Sequence, residues 1–280
     1  MDYFHSKRYL DTLPDWETGR PQLGPLEVYL PRMRHLLHRL GDPQQSFRSV
    51  IVGGSNGKGT VASLLAALLK ASGNRVGLYT QPHLHTPRER IQVQGALLDR
   101  DRWAQAASSL YDQTRDFDKA GYGPFSKFEA ITALAALLFE QARVQYGIFE
   151  VGLGGRFDAT NAWDSELAVL TPIALDHREV LGDDLLSIAA DKVCICRPDH
   201  SLLTTPCQEN SVLDFLRSYC AQRGVTLRVS PGAEVAASGA VPGPVAADSA
   251  RRPRSYQENA DLAVSAGQLL LGAGLEREIA

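Results

Sequence analysis

A chain of 280 residues, 44% apolar and 22% charged, is long enough to bury a sizeable core and has the balance of an ordinary globular protein. Its net charge of -3 gives no general attraction for polyanions, so neither nucleic acid nor an acidic membrane surface is expected as a partner. Four cysteines, Cys194, Cys196, Cys207 and Cys220, form no C-x-x-C pair, which favours free thiols over a zinc knuckle or a disulfide framework.

The first eight residues carry no apolar stretch of the kind a secretion signal needs. The longest greasy runs, 61–69 and 131–139, are about half a membrane span, so a cytoplasmic location is expected. Residues 30–40 place Leu30, Met33, Leu36, Leu37 and Leu40 at helical spacing. From residue 49 short β-rich runs alternate with helical ones. Strands are expected at 49–52, 75–79, 146–149, 167–170 and 202–203, and helices at 61–71, 103–117, 128–141, 185–190 and 212–221. Residues 231–254 shift to Ala, Gly, Pro and Ser, as a loop or linker would. A last helix over 258–271 is expected to stop at Gly272-Ala273-Gly274. Such alternation predicts an α/β fold: three layers of the P-loop type, a mostly parallel sheet with helices on both faces.

Between the first strand and its helix lies Gly53-Gly54-Ser55-Asn56-Gly57-Lys58-Gly59-Thr60. Glycines let successive backbone N–H groups turn toward a polyphosphate, and the following helix adds the positive end of its dipole. Lys58 would neutralise phosphate charge and Thr60 would offer a hydroxyl to magnesium. The alternative is a glycine-rich turn with a surface lysine, which the strand–loop–helix setting disfavours. In parallel sheets ligands bind beyond the carboxyl ends of the strands. His83, Glu150, Asp176 and His177 each follow an expected strand, and parallel strands would bring them all to that rim. A hard cation wants carboxylate, hydroxyl and water, with imidazole acceptable; Glu150 with Thr60 supplies one such set and His177 would complete a second. Singly, a strand-end histidine more often serves packing or the surface, so the convergence carries the expectation.

The residues also resemble a family. Gly54-Ser55-Asn56-Gly57-Lys58-Gly59-Thr60 is similar to the G-T-N-G-K-G-[ST] loop of folylpolyglutamate and dihydrofolate synthases, members of the Mur ligase superfamily. Pro82-His83-Leu84 with Glu89-Arg90-Ile91, Phe128-Glu129, the block from Glu150 to Asn161 (E-V-G-L-G-G-R-F-D-A-T-N), Leu175-Asp176-His177 and Ile188-Ala189 before Lys192 match further segments in order.

This resemblance implies a Mur ligase central-domain fold, ATP and Mg2+ as cofactors, and addition of L-glutamate to folate or dihydropteroate through an acyl phosphate. It implies that Lys58 and the amides of Gly54, Ser55, Asn56, Gly57 and Gly59 hold the phosphates. Thr60 and Glu150 would hold a first magnesium, and Glu150 and His177 a second. Lys192, which alone reads as a surface lysine, matches one that is carbamylated in the family, and Asn259 matches a residue that contacts adenine. Lys58, Lys192 and His177 are thus the implied catalytic residues. Gln81 stands where the family has a magnesium-ligating serine, Cys194 replaces a glycine, Arg197 replaces a lysine, and the Gln257–Asn259 spacing is one residue short.

The implied organisation is an ATP-binding domain over 1–229 with a helical N-terminal segment, a linker over 230–255, and a terminal helix of that domain over 256–280. The family's second, C-terminal glutamate-ligase domain has no counterpart here, so that domain or a separate subunit is an expected partner. The competing expectation is an ATP/Mg-binding module without its own chemistry.

Overall fold

The computed structural model describes residues 1–15, 25–117, 121–231 and 253–278. Eight strands lie in one sheet: β1 (Arg48–Gly53), β2 (Val76–Tyr79), β3 (Ile91–Val93), β4 (Ala96–Leu97), β5 (Tyr146–Glu150), β6 (Leu167–Leu170), β7 (Ser201–Thr204) and β8 (Thr226–Val229). Their order is β4-β3-β2-β5-β1-β6-β7-β8. The strands from β2 to β8 along this order run parallel, while β3 and β4 fold back antiparallel at one edge. Nine helices among the described residues cover it: α1 (Tyr3–Thr12), α2 (Tyr29–Arg39), α3 (Lys58–Ala71), α4 (Arg100–Gln113), α5 (Lys127–Gln141), α6 (Arg178–Leu181), α7 (Leu185–Lys192), α8 (Asn210–Arg223) and α9 (Arg254–Glu278).

Strand side chains alternate between the faces, and each face meets its own helices. Val50, Val52, Ile148 and Val169 pack with Val61, Leu65, Leu262 and Ala266, so α3 and α9 cover one face. Ile51, Phe149 and Ala168 pack with residues of α2, α4, α5, α7 and α8 on the other. Burial on both faces explains why these strands read as nearly continuous apolar runs. Helix α5 is apolar almost all round because it lies deep in the second layer, and Ser126 with Glu129 starts it as a reciprocal capping box.

The order places β5 on one side of β1 and β6 on the other, so the winding reverses at β1. The connection from β1 runs past β5 to β2 while the one from β5 runs past β1 to β6, and these opposed crossovers open a crevice at the carboxyl ends of β1 and β5. Among the described residues, no helix is long and apolar enough to cross a membrane.

Several boundaries differ from the sequence reading. The short pair β3–β4 escapes it because its signal is a two-residue turn, Gln94-Gly95, with both φ angles positive (56° and 72°), a hairpin geometry that suits glycine. Edge strand β8 is mostly exposed and so shows no apolar run. Helix α4 begins earlier than residue 103 because the Asp99 side chain accepts the Arg102 N–H. Its end at Gln113 follows Thr114, whose hydroxyl bonds back to the Leu110 carbonyl at 2.7 Å. Helix α9 continues past Gly272 and Gly274 to Glu278. A helical glycine costs only about 1 kcal/mol, and no proline follows to enforce a stop. Of the linker expected over 230–255, residues 232–252 lie outside the described residues.

Candidate active site

At the carboxyl end of β1 the chain turns through Gly54 (φ 127°) and Gly57 (φ 86°), conformations that disfavour any side chain. The Ser55 N–H donates to the Pro172 carbonyl at 3.0 Å, and its hydroxyl exchanges bonds with the backbone of Ala174. The loop is thereby tied to the segment after β6. Gly57 ends it and α3 begins at Lys58 with no side-chain cap on its first turn, where the Gly59 amide turns to the Glu150 carboxylate.

Two lysines meet beneath this loop. Lys58 Nζ donates to the Gly54 and Ser55 carbonyls at 3.1 and 3.2 Å. From the far side, Lys192 Nζ donates to the same Gly54 carbonyl at 3.1 Å and pairs with Asp176 Oδ2 at 3.1 Å. Lys192 is buried, contrary to what the residue alone suggests, because it ends α7 under the loop. Burial pulls its amine below the usual lysine range, with Asp176 opposing. Gly155 makes this approach possible: a Cβ there would meet the Lys192 backbone at 2.7 Å.

Glu150 ends β5, the strand beside β1, and is buried. Its Oε2 accepts the Gln81 N–H at 2.9 Å, and the Gln81 side-chain amide donates to the Glu150 carbonyl at 3.3 Å. A Cβ on Gly59 would lie 3.2 Å from the same carboxylate, so glycine lets α3 approach it. Desolvation raises the Glu150 carboxyl above its ordinary value, against the Gln81 and Gly59 amides and the Lys58 charge. Gln81 therefore reaches Glu150 despite its length. Thr60 stands half-buried in the first turn of α3.

Asn259, on α9, lies against Gly57: a Cβ there would meet its side-chain amide at 2.5 and 2.6 Å. The shortened Gln257–Asn259 spacing thus leaves Asn259 at the loop. His177 is more peripheral. It has φ 44° and a half-exposed ring with Nδ1 3.9 Å from Glu179, and it joins the group across a cavity that it lines together with Gln81. His83 accepts a hydrogen bond from Arg90 at 2.8 Å, in the loop organised by Glu89. Among the described residues, no three His, Cys, Asp or Glu side chains form a ready-made metal cluster.

The cavity that Gln81 and His177 line, about 480 Å³, is walled largely by Phe128, Leu153, Phe157, Val180 and Leu181. Two polar groups in its wall carried no assigned role in the sequence. Asp158 is buried and accepts the Gly152, Leu153 and Thr160 amides and the Thr160 hydroxyl, while desolvation raises its carboxyl. Its signal is the Asp-x-Thr turn within the block from Glu150 to Asn161. Glu129 is gripped by Arg32 through two bonds of 2.8 and 3.0 Å. Ninety-seven residues separate the pair, and nothing local announces it.

No family model matches the chain. It is 35% identical over 198 residues to the dihydrofolate synthase/folylpolyglutamate synthase of Bacillus subtilis, covering 70% of this chain and 46% of that protein. The structure of Mycobacterium tuberculosis folylpolyglutamate synthase complexed with ADP superposes with a TM-score of 0.81 at 27% identity, over 96% of this chain and 62% of that one. Escherichia coli FolC in complex with DHPP and ADP gives 0.69 at 32% identity, over 82% and 51%. The chain thus spans about half the length of the curated relatives it matches.

Proposed function

The chain belongs to the folylpolyglutamate synthase/dihydrofolate synthase family, and from its cleft we propose that it binds magnesium-ATP and adds L-glutamate to folate or dihydropteroate. The observation that carries this reading is the convergence of the Lys58 and Lys192 amines on the Gly54 carbonyl, at the positive end of α3 and beside a desolvated Glu150. Relatives named for these syntheses, and a FolC complex that holds DHPP and ADP, support it.

A carboxylate is a poor electrophile. Phosphoryl transfer from ATP makes it an acyl phosphate, the glutamate amine attacks the carbonyl carbon, and inorganic phosphate leaves. In this reading the amides of Gly54, Ser55, Asn56, Gly57 and Gly59 bind phosphate oxygens. Lys58 exchanges its bonds to the loop carbonyls for bonds to phosphate. Asn259, set against Gly57, faces the adenosine end, and the apolar cavity holds the pterin against Phe128.

The donors fit a hard cation held in part by substrate phosphates. Glu150 gives a carboxylate short of a cation, Thr60 a hydroxyl, and Gln81 and His177 further donors at the mouth. Magnesium commonly uses one or two carboxylates with phosphates and waters, so a ready-made cluster is not required. When bound it would neutralise charge on the transferring phosphoryl group. Lys192 as it stands is an ammonium paired with Asp176; a carbamate there would set two anions side by side and so calls for a cation between them. Its depressed pKa favours the neutral amine that a carbamate needs.

The ATP-binding domain is read as residues 1–229 closed by the helix within 256–280, with the rest of the glutamate site coming from a further domain or subunit. Nucleotide titration tests the core of the proposal. Wild type should bind ADP with magnesium, and Lys58→Ala should bind at least about 10²-fold more weakly. Release of ADP should require a pterin substrate and glutamate together. Equal nucleotide affinity in the two chains would overturn the reading.

A further inference from the structure

A second cavity, about 560 Å³, lies at the opposite rim, where β2 and β5 begin. Arg75 immediately precedes β2, Arg143 lies between α5 and β5, and Arg102 stands in the first turn of α4; all three arginines line the cavity. Gln105 and Gln141 add amide groups and Leu138 an apolar floor, and no carboxylate is in the lining. The cavity is about the length of β5 away from Glu150, roughly 15 Å.

Several arginines of this chain are matched to carboxylates, as Arg32 is to Glu129, Arg48 to Glu166, Arg39 to Asp116 and Arg197 to Asp164, while Arg34, Arg88 and Arg228 bond to carbonyl or hydroxyl oxygens. Here, among the described residues, the one ion pair is Arg102 with Asp99 at 3.3 Å, both well exposed. Asp99 already spends its other oxygen on the start of α4. Arg75 and Arg143 have no carboxylate partner among the described residues. Two unmatched guanidinium groups around one concavity repel each other, and a bound anion would relieve that repulsion. Guanidinium forks match the geometry of phosphate oxygens. The volume falls in the range that takes a small organic molecule rather than a bare ion.

We infer that this cavity is a second ligand site, for a small phosphate monoester whose organic part rests on Leu138. It is separate from the nucleotide cleft and goes beyond the function proposed above.

The test uses the Lys58→Ala chain, in which the loop competes less for phosphate. Calorimetric titration with glycerol 3-phosphate should show saturable binding, tighter than inorganic phosphate and weakened by salt. Arg75→Ala and Arg143→Gln should each lower affinity about tenfold, the loss expected for one charge-assisted contact. Both positions are exposed, so the melting temperature should hold and serve as the folding control. Absence of saturable binding overturns the inference, and so does binding that neither substitution weakens. Succinate binding as tightly as the phosphate ester would overturn the phosphate assignment.

Discussion

Two carboxylates at the ends of neighbouring elements are buried to the same degree and held in opposite ways. Glu129, in the first turn of α5, meets Arg32 in a two-pronged ion pair and accepts both the amide and the hydroxyl of Ser126. Glu150, at the end of β5, has the Gln81 and Gly59 amides and a distant Lys58, and burial leaves its carboxyl raised. The first is a closed arrangement with its charge answered inside the protein. The second is desolvated in advance and short of a positive partner, the condition that a cation arriving with its ligand would complete. Completeness of pairing, more than burial, separates the wall of this cleft from its working rim.

Glu150→Gln should break the comparison most sharply. The amide removes the charge and keeps the shape, so magnesium-dependent turnover should fall on the order of 10²-fold or more. Stability at neutral pH should stay level or rise, because an unmatched buried charge is gone. Turnover assays beside urea unfolding read both effects. A marked loss of stability with magnesium dependence intact would put Glu150 with Glu129, as a structural group.

Arg32→Met is the mirror case. It strands the Glu129 carboxylate in the wall and should cost about 3–5 kcal/mol in urea unfolding, while adding Glu129→Gln should recover much of that. Should the double variant be no better than the single one, the pair is not the unit it resembles. Asp158→Asn is milder. The amide keeps one acceptor for the Gly152, Leu153 and Thr160 donors, so about 1–3 kcal/mol should be lost. The same unfolding measurement decides it.

The phosphate-loop rim was largely legible because its signals are local. Glycines at Gly54 and Gly57, a lysine before a helix and a glutamate after an apolar strand each mark a place, and parallel strands carry those places to one edge. What stayed hidden depends on long-range geometry. Arg32 and Glu129 lie on different helices, and the Asp176–Lys192 contact forms only once α7 folds under the loop. The hairpin at Gln94-Gly95 was missed because three- and two-residue strands are too short for a pattern. The end of α9 was misjudged because glycine weakens a helix without breaking it. His177 follows its strand as the sequence reading expects, while its left-handed backbone and half-exposed ring are set by the turn into α6, a detail no local pattern marks.

The smallest effect concerns Lys192 and turns on the sign of its shift. Burial lowers its pKa below the ordinary 10.5. In the metal-free chain the folded state therefore holds this proton less firmly than the unfolded state does. The contribution of Lys192 to stability, measured against Lys192→Met, should be fully present above about pH 10.5 and lost as pH falls through the depressed folded value. Glu150 should run the other way, because its folded pKa is raised. Its contribution, measured against Glu150→Gln, should be present below its ordinary 4.5 and lost as pH rises through the folded value. Asp176 supplies the cross-check. It opposes the Lys192 shift, so Asp176→Asn should move that window to still lower pH. A window moved upward by Asp176→Asn would mean that burial is not what depresses the amine, and Lys192 would lose its resemblance to a group poised between its two charge states.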